Sequence, residues 1–156
     1  MIIQGSDVRQ YLPQFLQHYA SLTCDDRYNR FFHTMSPEAI RDWLLKIEEK
    51  SDEKHVFSVL DDENGNFIGI VQLAIHKDTN IGDVSISVIP DYQRCGLGTV
   101  LVKSSVRIAK EQGVRELQYI TEVSNRKCRD LYSKVGFTSQ YDPIENCICG
   151  SLIIGE

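Results

Sequence analysis

Long apolar runs are missing from this chain. No stretch approaches the roughly 20 apolar residues that a membrane-crossing helix needs. The opening segment, Met1-Ile2-Ile3-Gln4-Gly5-Ser6-Asp7, has neither a basic leader nor a small-residue cleavage pattern, so a cytoplasmic protein is expected. The five cysteines (Cys24, Cys95, Cys128, Cys147, Cys149) contain no CxxC pair, which excludes the common zinc spacings; no metal is expected, and the thiols are read as reduced. Cys147 and Cys149 fall on one face of an expected strand, a poor geometry for a mutual disulfide. Repeats, linkers and low-complexity tracts are also lacking. A length of 156 residues, 42% hydrophobic and 25% charged, suits one globular domain spanning residues 1–156.

Charge is present but uneven. The net charge is −5, yet the span Arg94 to Lys134 carries nine basic and four acidic residues, which leaves −10 for the remainder. A basic segment in an acidic protein suits a phosphorylated small ligand there and a cationic acceptor, such as an amine, elsewhere. Nucleic-acid binding is not expected, because the basic part is short and the whole is acidic.

The patterning gives alternating strands and helices. A first strand at Met1-Ile2-Ile3 precedes a helix capped at Ser6 or Asp7 and running to about Leu22, with Pro13 kinking or restarting it. A short helix is expected over Asp25–Phe32. Ser36-Pro37-Glu38 starts another, with Ser as cap and Pro at the first position, ending near Lys50. Strands at His55–Leu60 and Phe67–Ile75 flank Asn64-Gly65, a hairpin signal, and Asp83–Val88 forms the next. A helix over Gly98–Gln112, with Val100, Leu101, Ser104 and Ile108 near one face, stops at Gly113. A strand at Leu117–Val123, a helix from Asn125 to Gly136, and strands at Phe137–Asp142 and Cys147–Ile154 complete the chain.

The segment Val88-Ile89-Pro90-Asp91-Tyr92-Gln93-Arg94-Cys95-Gly96-Leu97-Gly98-Thr99 carries the chemistry. A strand runs into a loop with two glycines, then a helix. Such a turn lets backbone N–H groups converge on an anion at the helix N-terminus. A dinucleotide fingerprint would need a third glycine where Leu101 stands, and the Lys-Ser/Thr of a Walker loop is absent. What remains is Gln-x-x-Gly-x-Gly, filled by Gln93, Gly96 and Gly98. Downstream, Asn125-Arg126-Lys127-Cys128-Arg129-Asp130-Leu131-Tyr132 is followed by Gly136-Phe137. In this order the two motifs resemble the GCN5-related N-acetyltransferase (GNAT) superfamily, closely from Gly82 to Phe137 and by element order in the flanks.

The resemblance implies an α/β (α+β) fold: a mixed, mostly antiparallel sheet flanked by helices, with a splayed central strand pair. It implies an acetyl-CoA-dependent transfer to an amine by direct attack in a ternary complex. Ile86, Ser87 and Val88 would meet the pantetheine arm, with the Val88 N–H as oxyanion donor. Gln93, Arg94, Cys95, Gly96, Leu97, Gly98 and Thr99 would cradle the pyrophosphate, and Asn125 would contact the CoA arm. Tyr132 would protonate the departing thiolate. The glutamate that ribosomal-protein N-terminal acetylases carry five residues before the Asn is Ile120 here, so the base falls to Asp83 or Glu122, with His76 third. Tyr28, Phe31, Phe32, Trp43 and Tyr141 are expected around the acceptor, a small amine or a protein amine. A homodimer pairing through the apolar edge of Cys147–Ile154 is one further expectation. The second reading is a non-catalytic acyl-CoA-binding module of the same fold.

Overall fold

In the computed structural model, which describes residues 1–49 and 52–155, the chain forms seven strands and five α-helices. The strands are β1 (Ile2–Gln4), β2 (Glu53–Asp61), β3 (Phe67–His76), β4 (Ile81–Val88), β5 (Glu116–Glu122), β6 (Thr138–Asp142) and β7 (Cys147–Ile153). The helices are α1 (Leu12–Ala20), α2 (Cys24–Phe31), α3 (Pro37–Leu45), α4 (Leu97–Glu111) and α5 (Arg126–Val135). One sheet holds all strands in the order β1-β2-β3-β4-β5-β7-β6. Only β4 and β5 run parallel; the other pairs are antiparallel. No helix among the described residues is long and apolar enough to cross a membrane.

Two cores lie on opposite faces of the sheet. Alternation along the strands sends Val71, Leu73 and Val84 to one face, where they meet Leu101 and Ile108 of α4 and Tyr132 of α5. Phe57, Val59 and Ile70 go to the other, against Phe15 and Tyr19 of α1 and Ile40 and Leu44 of α3. The caps follow the sequence where a side chain can reach. Thr23 accepts from Asp26 N–H at 3.0 Å and Ser36 from Ala39 N–H at 3.1 Å. Asp62 closes the β2–β3 hairpin by accepting from the N–H groups of Asn64 and Asn66, with Gly65 at φ +81°.

Several expectations are corrected. Neither Ser6 nor Asp7 caps a helix, because Gly5–Tyr11 winds as a 3-10 segment and α1 starts only where Pro13 pre-sets its first turn. The third helix stops at Leu45 and gives way to a 3-10 turn at Ile47–Glu49; Lys50 lies outside the described residues. Val100 points to solvent at 50% exposure, while Leu101, Ser104 and Ile108 are buried. The final strand is not an edge, since β7 is paired on both sides by β5 and β6. Its backbone ladder is therefore already used, and it cannot pair with a second copy. The Cys147 and Cys149 sulfurs lie 3.8 Å apart as free thiols.

Two local constraints fix the geometry near the chain's middle. Tyr119 lies flat across its strand partner Gly150, and Tyr132 stacks on Tyr119 at 3.9 Å and 9°. A Cβ on Gly150 would fall 1.9 Å from Tyr119 Cε1. On the opposite face, buried His18 of α1 bridges two strands. Its Nδ1–H donates to the Phe67 carbonyl at 2.8 Å, which leaves Nε2 to accept from Ser87 Oγ–H at 2.7 Å.

Gly150→Ala is expected to displace the Tyr119–Tyr132 stack and to cost about 1–3 kcal/mol by overpacking. The urea midpoint measures this, with Gly155→Ala as control, because a Cβ there meets nothing within 4 Å. Burial lowers His18 from 6.5 to about 4, aided by the Arg30 charge and opposed by the Phe67 hydrogen bond. Its contribution is whole above pH 6.5. It fades as the pH falls toward 4, where the unfolded chain binds a proton that the folded one refuses; the full difference is about 3 kcal/mol. His76, raised by its bond to Asp83, works in the reverse sense, present at low pH and lost as pH rises. The comparison is therefore with His18→Gln: its stability should drop less than that of the natural chain between pH 7 and 4.5 in urea titrations.

Candidate active site

The parallel ladder pairs Ile81–Asp83 with Glu116–Gln118 and ends there, so β4 and β5 part beyond it. Ladder parity fixes what β4 presents to the gap. Ile89 N–H donates to Ile68 O at 3.0 Å, and bonded pairs alternate along an antiparallel ladder. Ser85 and Ser87 therefore bond to β3, while the main-chain groups of Ile86 and Val88 turn toward β5. A cleft of about 740 Å³ opens in this gap, lined by Val84–Val88, by Ile120 and Thr121, by the loop after β4, by α5 and by α2.

At one end stands the N-terminus of α4. Its N-cap is Gly96, at φ +80° and without a side chain to cap with. The first α4 bond is Val100 N–H to Gly96 O at 3.3 Å, so the N–H groups of Leu97, Gly98 and Thr99 lack intrahelical partners. A Cβ at Gly96 would meet open space, yet its left-handed φ favours glycine. Gly98 has a different reason to be glycine: a Cβ there would lie 2.9 Å from Leu131 Cδ2, so it lets α5 approach α4. Arg94, Arg126, Lys127 and Lys134 line the cleft and make it positive. Cys95 is exposed, does not line the cleft, and its Sγ lies 3.5 Å from Gln93 O. Gln93 ties the loop down, its Nε2 donating to Val88 O at 2.9 Å and to Asp26 Oδ2 at 2.8 Å.

Asn125 and Tyr132 both line the cleft. The Asn125 side chain accepts from Cys128 N–H at 3.3 Å as the N-cap of α5. Tyr132 is 1% exposed, and burial raises its phenol well above 10, the Cys128 thiol adding and the Arg30 charge subtracting. It therefore holds its proton at neutral pH. Burial pushes the Cys128 thiol up to about 11, so it is not a thiolate nucleophile.

The acid/base expectations fall elsewhere in space. Asp83 sits at the closed end of β4, hydrogen-bonded to His76 Nε2 at 2.8 Å, five residues and about 16 Å of strand before Val88. Glu122 lies at the end of β5 opposite Cys147. Neither lines the cleft, and neither does His76. Among the described residues, the carboxylates that do are Asp26 and Asp130. Of the aromatic residues expected around the acceptor, Phe32 lines the cleft; the polar residues of α2 were not expected there. Asp26, Asn29 and Arg30 follow i, i+3, i+4 spacing, which places them on one helix face, and that face lines the cleft with Phe32. The signal was present in this period, but Asp25, Arg27 and Tyr28 between them masked it. Phe31 and Trp43 pack into the core beneath, while Tyr28 and Tyr141 are exposed.

Comparisons with known proteins agree with this geometry. The profile of the Acetyltransferase (GNAT) family matches residues 16–137. An acetyltransferase of Pseudomonas aeruginosa is 28% identical over 135 residues, covering 86% of this chain and 72% of the relative. The ribosomal protein bS18-alanine N-acetyltransferase of Haemophilus influenzae is 36% identical over 48% of this chain and 50% of its own length. Among solved structures, spermidine N-acetyltransferase from Vibrio cholerae, in complex with CoA and spermine, superposes with a TM-score of 0.71. That superposition covers 98% of this chain and 94% of the other at 16% identity, a likeness of fold. The family match spans most of the chain and the likeness of fold accords with it: the chain is an acyltransferase belonging to the GNAT family.

Proposed function

We propose that this protein moves an acetyl group from acetyl-CoA to a primary amine by direct transfer, both reactants being held in the cleft at once. The observation that carries this reading is the gap between β4 and β5, which leaves main-chain groups of Ile86 and Val88 without a strand partner and ends at the bare N-terminus of α4. The residues fit the donor. An extended amide-bearing arm can take the place of a missing strand along Ile86–Val88. The N–H groups of Leu97, Gly98 and Thr99, with Arg94 beside them, suit a pyrophosphate. Acetyl-CoA supplies the activated thioester carbonyl; the protein's residues do the rest.

The Val88 N–H faces the gap and is the donor for the oxyanion that develops when the amine nitrogen attacks. The amine, near pKa ~10.4 when lysine-like, must first lose a proton. Asp26 is better placed for this than Asp83 or Glu122. It lines the cleft, and its carboxylate shares the Gln93 Nε2 with the Val88 carbonyl. When the carbon–sulfur bond breaks, the Tyr132 hydroxyl delivers a proton to sulfur, and the proton that the nitrogen sheds as the amide forms returns through solvent to the tyrosinate. Burial keeps the phenol proton in place beforehand. Ser87 contributes its side chain, since its main chain bonds to β3; with its proton committed to His18, its lone pairs are free to orient the amine N–H. Five free thiols and the donor's metabolic source fit a cytoplasmic site.

Calorimetric titration with acetyl-CoA and CoA, with ATP and NAD as controls, tests the donor assignment; selective CoA binding is expected. Gly96→Asp should abolish it, by strain at φ +80° and by negative charge at the helix N-terminus. Tyr132→Phe should lower kcat at least tenfold, on the order of general-acid effects, with CoA affinity nearly intact. Equal turnover of the two proteins would mean that Tyr132 only packs. Asp26→Asn should lower amine-dependent thiol release, and a rate unchanged across pH 6–9 would remove Asp26 as the proton acceptor.

A further inference from the structure

We propose that the acceptor is a small zwitterionic amine, one that carries its own carboxylate, and that Arg30 seats this carboxylate. The inference rests on the acetyl-transfer reading and names its substrate class. Arg30 lines the cleft from α2. Its guanidinium carbon stands 4.7 Å from the Phe31 ring, 5.2 Å from Trp43 and 5.9 Å from Tyr19. It donates to Gln72 Oε1. Gln72 is itself fixed, because its Nε2 donates to His55 Nδ1 at 3.0 Å, and His55 Nε2 lies 2.9 Å from Glu53. The cation is thus held from behind and on its flanks, with little rotamer freedom left to lose on binding.

It has no counter-ion. No carboxylate among the described residues lies within 4.0 Å of it. Asp26, one turn earlier on α2, accepts instead from Gln93. A guanidinium partly withdrawn from water and left unpaired is a receptor for an anion with two oxygens. That anion is not the CoA phosphate. Arg30 packs against the α1–α3 core, on the sheet face opposite α4 and its N-terminus. Its partner Gln72 pairs with Ser85 of β4, and Ser85 and Ser87 line the same cleft, which places it beside the gap where the amine must enter. Asp26 and Arg30 put a negative and a positive group one turn apart on the same wall, the pattern of an ammonium and a carboxylate on one small molecule. The same fixed cation repels a second ammonium, so a polyamine is the wrong shape of charge for this wall even though the fold resembles a spermidine enzyme.

The test uses matched acceptors that differ only by the carboxylate: phenylalanine against phenethylamine, lysine against cadaverine, arginine against agmatine. Amine-dependent thiol release with acetyl-CoA gives kcat/KM for each. The carboxylated member should be favoured about tenfold or more, the value of a charge-assisted hydrogen bond. Arg30→Gln should remove that preference by weakening only the carboxylated member, and Arg30→Lys should keep part of it. An equal loss for both members would mean that Arg30 only braces α2 and would overturn the proposal. So would a natural enzyme that prefers the decarboxylated amines, or one that binds CoA yet acetylates neither series. Failure to bind CoA at all would instead overturn the donor assignment. Circular dichroism of both variants guards against a folding defect.

Discussion

Everything in the site follows from two parallel strands that begin as neighbours and then separate. A parallel pair normally stays bonded along its length, because an unpaired main chain within a fold costs free energy for every orphaned group. Here β4 abandons β5 after Asp83, and the strand that should fill the gap is missing. The helices on either side keep the gap open: α4 and α5 hold the β4 and β5 ends apart on one face, and α2 covers the other. The fold thus leaves part of the β4 ladder without a strand partner along the cleft, where the proposed donor's extended arm would lie.

Close packing makes this opening rigid. Gly98 lets Leu131 of α5 sit against the first turn of α4, and Gly150 lets Tyr119 lie flat so that Tyr132 can stack on it. The N-terminus of α4 and the Tyr132 side of the cleft are therefore joined through one block of side chains rather than through a flexible loop. Gln93 does the same on the other side, linking the loop to Val88 and to Asp26.

The sequence made the backbone of this site legible, and of its α2 wall it exposed Phe32 but not the polar residues. Gln93, Gly96 and Gly98 form a short-range pattern, in which Gly96 answers to a local backbone demand, and Asn125 and Tyr132 stand at simple helical spacing. Strands with clean alternation, such as β2 and β3, could be read for the same reason. Gly5–Tyr11 could not, because a 3-10 segment has no strong period to announce it. The roles proposed for Asp26 and Arg30 depend on how α2 lies against the sheet, a tertiary fact that leaves only a faint i, i+4 trace. Asp83 and Glu122 failed to reach the cleft for a related reason: strand position fixes a face, but where neighbouring strands part decides which residues on that face meet the ligand. Gly98 showed the limit of reading glycine as a phosphate residue, since its neighbour in space is Leu131.

Trp43 is the chain's single tryptophan, and its ring lies 5.2 Å from the Arg30 guanidinium and 5.2 Å from Phe31. A cation beside an indole perturbs its excited state, so the protein carries a native optical probe aimed at one side chain of the cleft. Any event that shifts or neutralises that cation will change the emission without a label, so changes at that wall of the cleft can be followed directly in solution.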